Sequence, residues 1–174
     1  PYVAEVEELW LRVRGEPPQQ PVKLITTAGP AQRLRLIAPS GARVGEPFEV
    51  LVVALDEFDN AASSEFANMN LELDDGTALV RHICFTGAVR VPAALEKAGV
   101  YRFVMNGVAS NPVRVGENVQ GPYWGDIHIH TKISHDAQGN DPYGYARDVS
   151  GLDFAAVADH ANSHGQAGYD LLLR

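Results

Sequence analysis

Asp126, His128 and His130 alternate along Gly125-Asp126-Ile127-His128-Ile129-His130-Thr131. Successive side chains of an extended strand point to opposite faces. These three residues therefore share one face, and Ile127 and Ile129 share the other. Two imidazoles two residues apart on a rigid strand end can grip one cation or two adjacent ones. Asp136 follows in the next loop, where it can fold over the same site. A second apolar run, residues 152–158, leads directly into Asp159-His160. Parallel α/β folds gather their sites at the carboxyl ends of strands. Two neighbouring parallel strands would then deliver His128, His130 and His160 to one rim. A lone His-x-His pair says little. The combination of Asp-x-His-x-His, a loop Asp and an apolar strand ending in Asp-His is far more specific, and it reads as a metal site. Its donors suit Zn, Mn or Fe and do not choose among them. His135 reads as pointing away from the site, and His164 as a solvated residue at a helix start.

The elements that must hold these residues are legible. Residues 123–130 read as a strand. Residues 143–149 read as a short helix, with Asp141-Pro142 as cap and first turn. Residues 152–158 are a nearly continuous apolar run, as in a buried parallel strand, and residues 168–174 begin another helix. Strand, helix, strand, helix is the opening of an α/β fold. Upstream, residues 29–116 read as an immunoglobulin-like β-sandwich. Short strands are predicted at 34–37, 48–55, 70–73, 79–85, 88–91, 100–105 and 112–115, with turn signals about every ten residues. Pro39-Ser40-Gly41 reads as a turn. Tyr101 reads as a corner tyrosine whose hydroxyl ties back to the chain. Residues 1–28 contain two further strand-like stretches, 9–14 and 22–25, assigned either to this sandwich or to a preceding domain. Residues 117–122 form a polar linker.

Composition divides at the same place. Residues 1–121 carry one histidine, His82, with four Asp and eleven Glu. Residues 122–174 carry five histidines, seven Asp and no Glu. The first part reads as scaffold, and the second concentrates short carboxylates and imidazoles, the side chains that bind divalent metals. The whole chain has 174 residues, 45% hydrophobic and 21% charged, which excludes a disordered acidic polymer or a coiled coil. Its net charge of −8 disfavours a nucleic-acid partner. No apolar run approaches the ~20 residues that span a bilayer, so no membrane partner is expected. Cys84 is the single cysteine and reads as a buried strand residue, with His82 on the sheet surface. The chain begins at Pro1 with no leader pattern; the natural start is expected upstream, and a cytoplasmic location is favoured.

Tyr123-Trp124-Gly125-Asp126-Ile127-His128-Ile129-His130-Thr131, with Ser134 and Asp136, resembles the first motif of the PHP (polymerase and histidinol phosphatase) superfamily. Residues 146–160, ending in Ala158-Asp159-His160, resemble its second. The closer resemblance is to a bacterial group in which a β-sandwich precedes a PHP-like domain. Ser110-Asn111-Pro112-Val113-Arg114-Val115, followed by Tyr-Trp-Gly-Asp, is similar to that junction. So are Ala38-Pro39-Ser40 and Gly45-Glu46-Pro47-Phe48. The resemblance implies that residues 123–174 open a distorted (β/α)7 barrel with two or three divalent ions, Zn or Mn, with Fe as a further option. It also implies hydrolysis of a small phosphorylated substrate by a metal-held hydroxide. Carried over by position, His128, His130, Asp136 and His160 would be metal ligands. Asp126 and Asp159 would be ligands or groups that orient imidazoles. Ala158 stands where the family usually has Thr, which removes one possible hydrogen bond. The family's later Glu, His and Asp ligands are expected beyond Arg174, so these 174 residues alone are expected to bind metal weakly and to lack turnover. Two other readings stand beside this one: an amidohydrolase-type enzyme, whose barrels also open with His-x-His, and a non-catalytic binding module with a degenerate barrel.

Overall fold

A computed structural model describes residues 4, 6–9, 14, 20–134, 136–137 and 141–160. Fourteen strands and one helix are assigned within them. Val6–Leu9 (β1) and Val22–Ile25 (β2) pair antiparallel as a ribbon with exposed apolar side chains. The stretch expected at 9–14 and the helix expected at 168–174 lie outside the described residues, apart from Leu9 and Arg14. So do His135 and His164.

The next ten strands form layered sheets around one core, the arrangement of a β-sandwich. Arg33–Ile37 (β3), Phe48–Leu55 (β5) and Ala88–Ala93 (β8) make one sheet, with β5 in the centre. Glu65–Leu73 (β6) and Ala78–Thr86 (β7) pair with Phe103–Met105 (β10) and Val108–Ala109 (β11) in another. Gly41–Arg43 (β4), Gly99–Tyr101 (β9) and Val113–Gly116 (β12) form a third, in which β4 and β12 run parallel. Val50 and Val52 of β5, Leu71 of β6, Phe103 of β10 and Val113 of β12 are fully buried in the shared core. Phe48 meets Phe103 edge-on at 5.7 Å.

Residues 100–105 do not form one strand. The ladder breaks at Arg102, so that β9 pairs with β12 while β10 pairs with β6 in a different sheet. The Tyr101 hydroxyl donates to the Lys97 carbonyl at 3.0 Å, which ties this corner down. Cys84 lies in a strand, as expected, but it is exposed rather than buried. Strand alternation explains this, because Ile83 and Phe85 take the core face and leave Cys84 on the other. His82 is exposed on the same strand, with φ +57°.

Strand β5 is buried on both faces. Val50, Val52 and Ala54 enter the main core, while Leu51, Val53 and Leu55 form a second cluster with Val149. Val149 caps the helix Pro142–Asp148 (α1) at its C-terminus. Asp141 caps the N-terminus by accepting from the Gly144 N–H at 2.7 Å, and Pro142 fits the first turn, where its missing N–H is not needed. Helix α1 joins two parallel strands, Gly125–Ile129 (β13) and Phe154–Val157 (β14). The parallel pairing is as expected, but the burial is not: Phe154 is 48% exposed and alternate residues of β14 face outward. Among the described residues this sheet has only two strands, which leaves much of its surface uncovered.

The βαβ unit is fastened to the sandwich. Gly151 lies where a Cβ would meet Ile37 and Leu51, at 2.8 and 3.2 Å, and its φ of +64° also favours glycine. The Trp124 indole N–H donates to Ser40 Oγ at 2.8 Å. Arg90 of β8 donates to the Arg147 carbonyl at 2.9 Å and pairs with Asp148 at 3.6 Å. No helix among the described residues is long and apolar enough to cross a membrane.

Candidate metal centre

The strand ends are placed by backbone pairing and by short acidic side chains. Asp153 fastens the start of β14 to that of β13, because its carboxylate accepts from the Trp124 N–H and its own N–H donates to the Trp124 carbonyl, both at 2.7 Å. At the other end the Ala158 N–H donates to the Ile129 carbonyl at 2.8 Å. His130 and His160 thus leave neighbouring parallel strands at the same carboxyl-terminal rim. Their ring centroids are 4.5 Å apart, at 66°.

Asp136 closes the arrangement. Its two oxygens meet His130 Nδ1 and His160 Nε2, each at 3.0 Å. One donor atom from each of His130, Asp136 and His160 lies within 4.8 Å of the others. The imidazoles of His160 and then His130 hold the Asp136 carboxyl at about 2, so it is an anion at neutral pH. His130 is the most enclosed of the three, with 16% of its side chain exposed, and its Nε2 is buried with no hydrogen-bond partner among the described residues. Buried polar atoms in folded proteins are nearly always partnered. An orphaned imidazole nitrogen beside a second imidazole and a carboxylate is a donor that a cation would satisfy. The residues therefore fit a divalent cation.

The other expected site residues fall differently. His128 is exposed and lies outside this triad, although its ring centroid is 5.0 Å from that of His130. Asp126 folds back on its own strand, where its carboxylate accepts from the His128 N–H at 2.8 Å. Both line the cleft that opens beside the triad. Asp159 also lies outside the triad. Its carboxylate accepts from the Thr131 N–H, the Thr131 hydroxyl and the Ser134 hydroxyl, each at 2.7 Å.

That last network gives Ser134 a role that its presence in the motif did not specify. Ser134 is 2% exposed; its hydroxyl donates to Asp159 and accepts from the His160 N–H at 2.9 Å. One side chain thereby fixes the loop that carries Asp136 to the strand end that carries His160. Its place in the motif, two residues before a ligand-type Asp, is a weak sequence signal for that role.

No family profile matches this chain, and no curated protein matches it by sequence. Several solved structures are similar to parts of it. The Lin-41 filamin domain is 14% identical, with 51% of this chain and 97% of that one covered, at a TM-score of 0.36. Superoxide reductase (neelaredoxin) from Ignicoccus hospitalis is 19% identical, with 49% and 81% covered, at 0.31. Domains 4 and 5 of the S-layer protein SbsC are 14% identical, with 56% and 59% covered, at 0.35. Scores this low assign neither a family nor a function.

Proposed function

We propose that this chain supplies His130, Asp136 and His160 to the divalent-metal centre of a PHP-type hydrolase that cleaves a small phosphoester. Residues 29–116 are then its immunoglobulin-like sandwich, residues 117–122 the linker and residues 123–174 the opening of its barrel. The observation that carries the reading is the convergence of three donor atoms from two parallel strand ends and one loop within 4.8 Å. The βαβ connection and the Tyr101 corner support the two fold assignments.

A divalent ion held there supplies a Lewis acid that neutralises phosphate charge and makes water more acidic. The chain's own residues position it. Asp136 brings the negative charge, and His130 and His160 bring neutral donors from a rigid sheet. Asp159 and Ser134 keep the loop and the second strand end in register, the supporting role that outer groups play around metal ligands. His128 and Asp126 stand beside the triad and would serve a second ion. In the reaction a water oxygen bonds to phosphorus, the bond from phosphorus to the ester oxygen breaks, and a water proton ends on the released alcohol.

The test is metal uptake by the chain after dialysis against Mn²⁺ or Zn²⁺, compared with a His130→Ala/His160→Ala variant. We expect a loss of at least tenfold in affinity in the variant, with the sandwich still folded by circular dichroism. A phosphatase screen of the protein in its full natural length, with and without the same substitutions and with chelator, should show hydrolysis that is lost in both treatments. Equal metal content and equal hydrolysis would sink the reading.

A further inference from the structure

The cleft beside the triad reaches the sandwich turn that follows Asp56, and that turn is already held. The Ala4 N–H donates to Asn60 Oδ1 at 2.9 Å, and the Tyr145 hydroxyl donates to the Asp59 carbonyl at 3.2 Å. A second concavity, of about 510 Å³, lies where the βαβ unit is fastened to the sandwich. Ile37, Phe48 and Leu51 of the sandwich and Leu152 after helix α1 supply its apolar lining. Its size suits a small organic ligand, and such sites are largely apolar with a few polar groups that orient the ligand.

Trp124 lines this concavity and is 62% exposed. Its backbone N–H donates to the Asp153 carboxylate and its carbonyl accepts from the Asp153 N–H, both at 2.7 Å. Its indole N–H donates to Ser40 Oγ at 2.8 Å. The ring is thus fixed in one orientation while much of it stays in water. An aromatic surface that is already ordered loses little conformational entropy when a ligand covers it. The polar groups around it have capacity to spare. Among the described residues Glu49 makes no hydrogen bond, only an ion pair to Arg90 at 3.9 Å. Asp153 uses one carboxylate oxygen on Trp124 and leaves the other open, and the Ser150 hydroxyl makes no hydrogen bond. Arg147 and Arg90 also line the site, but Asp148 pairs with them at 2.6 and 3.6 Å. No uncompensated positive charge is left there to draw an anion.

We propose that this concavity binds a neutral saccharide, whose C–H face packs on Trp124 while its hydroxyls reach Glu49, Asp153 and Ser150. A sugar ring carries C–H groups on its face and hydroxyls around its edge. The face gains from burial on an aromatic ring, and each hydroxyl can both donate to a carboxylate and accept from a guanidinium. An anionic ligand would meet Glu49 and Asp153 as like charges. A wholly apolar ring would cover those carboxylates without giving them a hydrogen bond, which is costly. Trp124 and Asp153 stand at the amino ends of β13 and β14, the opposite end of that sheet from His130 and His160. The saccharide site is therefore separate from the triad and does not rest on the metal-centre reading.

The test is binding of maltose, cellobiose and N,N′-diacetylchitobiose to the chain, followed by calorimetry and ligand-observed NMR in excess EDTA. Glucose 6-phosphate and indole serve as the anionic and the apolar control. The same titrations are made with Trp124→Ala, Trp124→Phe and Glu49→Ala, with folding checked by circular dichroism. We expect at least one disaccharide to bind at least tenfold tighter than either control. Trp124→Ala should weaken it at least tenfold, Trp124→Phe less, and Glu49→Ala at least threefold, and Mn²⁺ in place of EDTA should leave the affinity unchanged. If Trp124→Ala does not fold, the other two variants decide, and unchanged binding in both overturns the proposal. Failure of all three disaccharides to bind, or a control that binds as tightly, overturns it as well. Binding that appears only with Mn²⁺ would place the ligand at the triad and overturn this site while supporting the metal reading.

Discussion

Strands β5 and β13 show how differently the two regions of this chain are built. Strand β5 is buried on both faces and carries Val50, Val52, Val53, Ala54 and Leu55 with no exposed surface. Strand β13 carries Asp126 and His128 and leads into His130, and its Ile127 is 72% exposed. The first strand is held by what it removes from water, and its chemistry is inert. The second is held by backbone pairing with β14 and by contacts such as Asp153 with Trp124, and it spends its side chains on donors. Between them lies the seam of Val149, Gly151, Trp124 and Arg90. That seam joins the sandwich to the chain just before β13 and β14.

The largest effect should separate the regions outright. Phe103 is fully buried between sheets, so Phe103→Ala removes a ring from a closed core and leaves a cavity. Thermal and denaturant unfolding should report a loss of about 3–5 kcal/mol. Ile127→Ala, made on an exposed strand face, should stay within about 0.5 kcal/mol of the parent chain. A similar loss in both variants would mean that β13 is buried in solution, and the contrast would fail.

The next effect lies at Asp56, where the sandwich meets the cleft. Burial alone would push its carboxyl up, but the hydrogen bonds from Gly29, Asn60 and Phe58 together outweigh that and hold it below its ordinary value of 3.8. Asp56→Ala strands those donors and should cost about 2–4 kcal/mol. A carboxyl whose folded value is lowered stabilises fully above its unfolded value, and that stability is lost as pH falls through the folded value. The parent chain should therefore exceed Asp56→Asn in stability at pH 6. The gap should narrow as pH falls below 3.8. A gap that is constant down to pH 2 would show that the charge of Asp56 is irrelevant to the turn.

The two regions also differ in how much the sequence disclosed. Strand 48–55 is legible because seven of its eight residues are apolar, three of them valines, and such a run has no good alternative in water. The His130, Asp136 and His160 convergence was legible because strand period and the rule for parallel strand ends fix where such residues go. Strands β4 and β11, with three and two residues, carry no pattern long enough to read. The break at Arg102 depends on which distant strand each half pairs with, and local sequence does not encode that. Strand β6 begins at Glu65, five residues before the expected start, because its first half is bulged and lacks a clean alternation, with Asn68 at φ +57°. Cys84 was misplaced for a related reason: residue type suggested the core, while its two neighbours decided the face. Ser134 went unassigned because a hydroxyl that bridges a loop to a strand end has no spacing of its own.

The smallest expected effect tests the seam itself. Trp124 is 62% exposed, and its indole N–H reaches Ser40 Oγ at the end of the sandwich. Trp124→Phe keeps an aromatic ring at the head of β13 and deletes that one donor. A half-exposed hydrogen bond of this kind contributes about 0.5–1 kcal/mol, so global stability should fall by no more than that. The informative readout is the ratio of two transitions, sandwich unfolding by far-ultraviolet circular dichroism and loss of Mn²⁺ affinity with rising denaturant. If the sandwich holds the strand ends in place, the two transitions coincide in the parent chain. In Trp124→Phe the metal transition should move to lower denaturant while the sandwich transition stays. If both shift together, the two regions unfold as one unit and the hydrogen bond is one contact among many. If neither shifts, Val149 and Gly151 carry the seam alone.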